Sequence, residues 1–230
     1  MNSHFTQLYS NILPIPCRLC GAHCQRHALC DDCINDLPLL GPACPRCAMP
    51  TTSSQLCGQC LNKPPQQDLS FSLFPYQDPI KQLITDFKYH DKLYLGQLFA
   101  DLMVKQLSCR RLPKLLIPIP LHSKRLRQRG YNQSLELTKA LSKHLQIPVS
   151  NQFLNRTKNT PPQASLPFKQ RKSNIQHAFS LINENIPSHI ALIDDVLTTG
   201  HTANAAVKML RQKGVETIEV WTIARTIRHD

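Results

Sequence analysis

Four pairs of cysteines at one fixed spacing constrain the first quarter of this chain more than any other feature. They are Cys17/Cys20, Cys30/Cys33, Cys44/Cys47 and Cys57/Cys60, each a CxxC. Two thiolates separated by two residues can face one ion from a tight turn, and tetrahedral zinc takes two such turns. Nine residues lie between the first and second pairs, and nine again between the third and fourth. The repeat predicts two tandem zinc ribbons, Cys17/Cys20/Cys30/Cys33 and Cys44/Cys47/Cys57/Cys60. An interleaved arrangement is compatible with the same spacing. Four thiolates close a site, so the Zn²⁺ expected here is structural, and the module should fold only with metal bound. Gly21 and Gly58 follow knuckle cysteines, where a backbone turning around an ion often needs positive φ. Cys24 and Cys109 fall outside the pattern and read as plain thiols.

The 230 residues suffice for one ordinary domain besides this module, which gives units 1–66 and 67–230. The opening residues lack a basic start followed by an apolar core, and no later stretch approaches a bilayer-spanning run. A soluble, cytoplasmic protein without membrane insertion is expected, and its cysteines then serve as metal ligands in a reducing compartment. The formal net charge is +12, concentrated beyond the cysteine module. Residues 1–66 hold four Lys/Arg and three Asp/Glu, whereas residues 104–173 hold fifteen Lys/Arg and one acid, Glu136. A segment this one-sided points to an anionic ligand, the plain alternative being a solvated basic face.

From about Asp68 strands alternate with helices. The strand readings are 69–76, 115–120, 190–193 and 217–224. The helical ones are Pro79 to about Tyr89, Lys92–Leu107, Gln133–Leu145 and a segment carrying Ala203, Ala206, Val207 and Leu210 that Gly214 stops. The apolar run 190–193 has the composition of a parallel strand buried on both faces. The pattern predicts an α/β fold, a parallel sheet with flanking crossover helices.

The chain then reads IALIDDVLTTGHT over 190–202. Ligands of open parallel sheets gather at the carboxyl ends of the strands, where turns expose amides and helix N-termini. A turn over Asp194–Thr202 could wrap a phosphate with its amides and threonine hydroxyls, Gly200 allowing close approach. Neither GxxxxGK[ST] nor GxGxxG occurs in the chain, which excludes the usual nucleoside-triphosphate and dinucleotide loops. Adjacent carboxylates would repel a phosphate and suit a ribose diol, directly or with Mg²⁺ through water. The bland reading is a helix cap, for which one Asp would do.

The run strand-DD-x-x-T-T-G-x-T resembles the 5-phosphoribosyl 1-pyrophosphate (PRPP) motif of type I phosphoribosyltransferases. With the zinc ribbons ahead of it, and with RGYNQS at 129–134 and RTKNTPPQASLPFKQRKSNIQHAF at 156–179, nearly the whole chain resembles the ComF family, including its GntX-type members. The resemblance implies a type I phosphoribosyltransferase fold. Asp194 and Asp195 would bind the ribose hydroxyls of PRPP, while Thr198, Thr199, Gly200, His201 and Thr202 would enclose its 5′-phosphate. The turn 121–125 corresponds to a pyrophosphate loop, and Arg125, Arg127 and Arg129 would neutralise that group together with Mg²⁺. Arg156, Lys158, Gln163 and Arg171 fall where relatives place a mobile hood.

The family's association with natural transformation implies a competence role, the handling of incoming single-stranded DNA, with the DNA-translocating helicase of the uptake machinery as a partner. The basic segment, with Tyr131, Phe153 and Phe168 among its cations, has the ingredients of a backbone-tracking groove, although each aromatic is more often core than stacking platform. The alternative is an active phosphoribosyltransferase that transfers ribose 5-phosphate from PRPP to a nitrogen acceptor the sequence does not identify. In that case positioning and charge stabilisation would supply the catalysis. A member of GntX type outside transformation would share these features, so the cellular process rests on the resemblance.

Overall fold

The computed structural model describes residues 15–24, 28–89, 92–107, 110–156, 179–181 and 186–227. Its centre is a four-stranded parallel sheet made of β3 (Leu69–Pro75), β4 (Leu116–Pro118), β7 (His189–Leu197) and β8 (Thr217–Arg225), in the order β3-β8-β7-β4. The helices are α3 (Ile80–Tyr89), α4 (Tyr94–Leu107), α5 (Ser123–Arg129), α6 (Gln133–Leu145) and α7 (His201–Arg211). A short antiparallel pair, β5 (Leu154–Arg156) and β6 (Phe179–Leu181), stands apart from the sheet. This is the expected mixed α/β architecture.

Strand periodicity divides the core into two layers. Ala191, Ile193, Trp221 and Ile223 pack with α3, α4 and α6, whereas Ile190, Leu192, Ile218 and Val220 pack with Ala203, Ala206, Val207 and Leu210 of α7. Residues 190–193 are buried on both faces, so the strand reads as a continuous apolar run. Among the described residues no helix is long and apolar enough to cross a membrane.

Two elements depart from the sequence reading. β7 does not stop at Ile193 but continues to Leu197, so the adjacent acids lie within the strand and not in the turn after it. β8 explains this, since it pairs with β7 through Leu197, whereas β4 ends opposite Ile193. The segment expected as a turn at 121–125 instead enters helix α5. His122 caps it by accepting from the Lys124 amide at 3.2 Å, and Gly130 ends it with φ 79, its amide bonded to the Leu126 carbonyl at 2.8 Å. Leu, Lys, Arg and Gln are good helix formers, which suits the span between the caps.

The cysteine module is built as a repeat. The Cys17 amide bonds the Ala22 carbonyl at 2.6 Å, matched by Cys44 to Met49 at 2.7 Å. Cys30 precedes α1 (Asp31–Asn35) as Cys57 precedes α2 (Gly58–Asn62). Gly21 has the expected positive φ of 79, but its counterpart in the second repeat is Ala48 at φ 54, and Gly58 simply opens α2. A two-residue pair, β1 (Ile15–Pro16) with β2 (His23–Cys24), belongs to the first repeat.

The module is fused to the sheet along edge strand β3. The Leu40 amide donates to the Leu73 carbonyl at 2.9 Å, and the Ser70 amide donates to the Pro45 carbonyl at 2.7 Å. An exposed strand edge invites pairing with other chains, and here the stretch between the two repeats and the first knuckle of the second repeat cover it. Cys17, Ala28, Leu29 and Leu37 join the core layer of α3 and α4, while Ala48 joins that of α7.

Candidate functional site

The eight cysteines form two clusters, Cys17/Cys20/Cys30/Cys33 and Cys44/Cys47/Cys57/Cys60, with all Sγ atoms of each within 4.8 Å of one another. The tandem arrangement is therefore the one adopted, and the interleaved one is excluded. Cys20 and Cys30 Sγ are 3.6 Å apart, as are Cys47 and Cys57 Sγ. Four sulfurs at zinc-bonding distance sit about 3.8 Å apart on a tetrahedron, so each donor set fits a Zn²⁺ ion. Burial raises the Cys17 thiol, but backbone amides of its own and the facing knuckle more than offset this and hold it at about 6; Cys44, in the same setting, lies at about 7. Cys24 is different. Burial and the neighbouring Cys17 push its thiol up to about 11, and it donates to the Ala22 carbonyl at 3.7 Å, as a thiol outside the metal site would. Cys109 lies outside the described residues.

The second site lies at the carboxyl end of the sheet. Because β4 stops at Pro118 while β7 runs on, Asp194 and Asp195 have a neighbouring strand on one side only. The start of α6 is held beside the vacated side. Asn132 caps α6 through the Ser134 amide at 3.0 Å and donates its Nδ2 to the Ile119 carbonyl, just past β4, at 3.1 Å. Gln133 and Ser134 in the first turn of α6 then meet one acid each. Gln133 Nε2 donates to Asp195 Oδ2 at 2.7 Å, and Ser134 Oγ donates to Asp194 Oδ1 at 2.9 Å.

The two acids are not equivalent. Asp195 is 5% exposed, and its other oxygen, Oδ1, is 2.9 Å from Lys88 Nζ at the end of α3. Burial disfavours the lysine's charge, but the carboxylate beside it outweighs that and raises its pKa. Asp194 is half-buried, and both of its hydrogen bonds, from Ser134 Oγ and the Asp195 amide, fall on Oδ1. Burial and the adjacent Asp195 charge push its carboxyl up to about 7. Asp194 also lines a small cleft of about 30 Å³, open to solvent, together with Thr198, Gly200, Thr202 and Thr222. The structure thus brings Asp194, Thr198, Gly200 and Thr202 to one cavity, which Thr199 and His201 do not line, and it turns Asp195 toward Lys88 and Gln133.

The loop is shaped by its neighbours. Gly200 takes φ 75 as the residue before α7, a conformation that disfavours any side chain, and Thr199 Oγ1 lies 2.9 Å from His201 Nδ1. Arg225, the last residue of β8, grips the loop from below. Its Nη1 donates to the carbonyls of Leu197 at 2.8 Å and of Thr198, and its Nε donates to the Cys47 carbonyl at 2.8 Å. One guanidinium therefore joins the second zinc cluster to the loop. The Gln66 amide adds a second tie, to Asn204 Oδ1 of α7 at 3.0 Å.

Cations gather at the same end of the sheet. Burial and the nearby Arg129 lower the Arg125 pKa, while burial and Arg125 lower that of Arg156, which also feels Asp194. Arg125 is thus an electrostatic neighbour of both Arg129 and Arg156. Arg127 is exposed on α5. Lys158, Gln163, Arg171 and Phe168 lie outside the described residues. Of the other aromatics in the basic segment, Phe153 is buried in the α7 core layer, and the half-buried Tyr131 donates its hydroxyl to the Phe87 carbonyl. Neither is an exposed stacking surface. Among the described residues, groups of three or more metal-capable side chains occur only as the two cysteine clusters.

Sequence reasoning assigned no role to Lys88, Gln133 or Arg225. The motif RGYNQS contained Gln133 and Ser134, but pairing them with residues some sixty positions away required the fold.

Comparison with known proteins agrees with both halves of the chain. The double zinc ribbon domain matches residues 8–61. Competence protein F of Haemophilus influenzae is 36% identical over 227 residues, covering 94% of this chain and 98% of its own. DNA utilization protein YhgH of Shigella flexneri is 34% identical over 191 residues, 80% of this chain and 84% of its own. Competence protein ComFC of Streptococcus pneumoniae is 27% identical over 204 residues, 86% and 87%. Identity of this extent along nearly the full length of two proteins makes the chain a member of the ComF family.

Proposed function

We propose that the chain is a competence protein that binds PRPP, or a similar ribose phosphate, at the carboxyl end of its sheet and handles incoming single-stranded DNA. The observation that carries the ligand reading is the cleft shared by Asp194, Thr198, Gly200 and Thr202. Amides and hydroxyls of the loop would cradle the 5′-phosphate, and Asp194 would accept from the ribose hydroxyls. Asp195 would join it by exchanging Lys88 or Gln133 for a sugar hydroxyl. Arg125, Arg129 and Arg156 would face the pyrophosphate, with Mg²⁺ arriving on the phosphates and not held in a protein cage. The DNA reading is supported by the names of the relatives, a competence protein and DNA utilization proteins, and by the one-sided charge of residues 104–173.

The deciding experiment for the ligand is a thermal-shift titration with Mg²⁺-PRPP. Wild type should rise by several degrees, because a ligand binding only the native state stabilises by mass action. Asp194→Asn should rise far less, and equal shifts in the two proteins would refute the pocket. For the strand, binding to an oligonucleotide should weaken steeply with added salt, as phosphate contacts release counterions. A flat salt response would refute it. The arginines beside the cleft favour a second reading, an active transferase. It requires pyrophosphate release from PRPP when a nitrogen nucleophile is supplied.

A further inference from the structure

Tyr89 is an unusual residue to find at the mouth of this site. It ends α3, directly after the lysine that pairs with Asp195, and it is 59% exposed. Yet the ring is not loose. The Arg129 guanidinium carbon lies 4.5 Å from its centroid, and Arg129 Nη2 donates to its hydroxyl at 2.8 Å. Arg129 is itself fixed by a bond of 3.1 Å from Nη1 to Gln133 Oε1, the side chain that also donates to Asp195. A large aromatic ring is thus oriented on one side by a cation and presented to solvent on the remainder. An exposed phenol gains little by such ordering on its own account, since fixing a side chain costs entropy.

The surroundings show what the ring suits. Helix α5 carries Lys124, Arg125, Arg127 and Arg129 within seven residues and no acid. Leu126 is exposed among them. Arg125 interacts electrostatically with both Tyr89 and Arg129, so a second cation lies near the ring. Proteins that hold single strands combine backbone-tracking cations with aromatic faces on which bases stack.

We infer that Tyr89, ordered by Arg129, is a stacking platform for a nucleobase of single-stranded DNA whose phosphates run along α5. This rests on the DNA reading proposed above. The aromatic signal sought in the basic segment lies outside it, at a position that only folding brings to α5.

The test is fluorescence anisotropy with a labelled oligothymidylate, and with an abasic strand of the same length, as a function of salt. Tyr89→Ala should weaken binding of the oligothymidylate about 5- to 150-fold while leaving its salt slope unchanged. The same substitution should leave the abasic strand's affinity unchanged, and Tyr89→Phe should retain most of the wild-type affinity. Arg127→Ala should weaken both strands and reduce the slope by about 0.7. Unchanged oligothymidylate binding by Tyr89→Ala, or an equal loss with the abasic strand, would overturn the platform while leaving the DNA reading intact. No salt-dependent binding by wild type would overturn both. A normal melting temperature for Tyr89→Ala checks that the variant is folded.

Discussion

At the scale of single residues, Asp194 and Asp195 differ in what they can do, although they are chemically identical neighbours. The Asp194 carboxyl, at about 7 in the native state against an ordinary value near 3.8, binds a proton that the unfolded chain releases between those limits. Its contribution to stability is therefore greatest at low pH and is lost as pH rises from about 4 to about 7, by at most about 4 kcal/mol. Asp194→Asn removes that loss, so urea denaturation should show the variant gaining on wild type between pH 5 and pH 8. Ligand binding should run the opposite way. A carboxylate accepts sugar hydroxyls better than a carboxylic acid does, so the Mg²⁺-PRPP shift should fall as pH drops below about 7 in wild type. Lys88 is the ion-pair partner of Asp195 in a nearly dry position. Lys88→Met strands a buried charge and should cost about 3 kcal/mol, with the Lys88→Met/Asp195→Asn double variant recovering part of that loss in a double-mutant cycle.

At the scale of elements, two segments next to each other in space behave differently from their reading in sequence. Residues 121–125 were expected as a turn because the resemblance places a pyrophosphate loop there, but the His122 cap and Gly130 stop let the run of good helix formers from Ser123 to Arg129 close on itself. As a helix it sets its arginines on a surface beside Tyr89, where a loop would have left their relative positions open. The 198–202 loop needs more than its own sequence to hold its shape. Arg225 supplies part of that support by bonding the carbonyls of Leu197, Thr198 and Cys47 at once. Arg225→Met should therefore weaken Mg²⁺-PRPP binding about 10- to 100-fold, the cost of one or two charge-assisted hydrogen bonds. Zinc content, measured by metal analysis, should be unchanged in that variant. Loss of zinc along with loss of binding would mean that Arg225 holds the ribbon and not the loop.

At the scale of the whole molecule, the zinc module and the sheet form one folding unit more than two beads on a string. Leu40 between the ribbons and Pro45 in the second ribbon hydrogen-bond to β3, and residues of the two repeats enter both core layers. Two zinc ions per chain are expected. Stripping them with a chelator should lower the melting temperature of the entire protein, and a fragment beginning at residue 67 should aggregate through its uncovered β3 edge. Much of this organisation was legible in the chain because its signals are local. A CxxC spacing encodes a turn around an ion, a continuous apolar run encodes a strand buried twice, and a 3.6-residue period encodes helix α7. The pairing of the knuckles was not legible, since spacing alone suits both tandem and interleaved ligation. Nor was the division of labour between the two acids, which follows from β4 ending where β7 continues and from α6 beginning in the gap. Sequence by itself determined which groups the protein possesses and the class of structure that holds them. Tertiary structure alone decided which groups meet: Lys88 with Asp195, Arg225 with both ribbon and loop, Tyr89 with Arg129. The reason is physical, for such pairs join residues tens to hundreds of positions apart, and no local periodicity records which distant side chain will share a crevice.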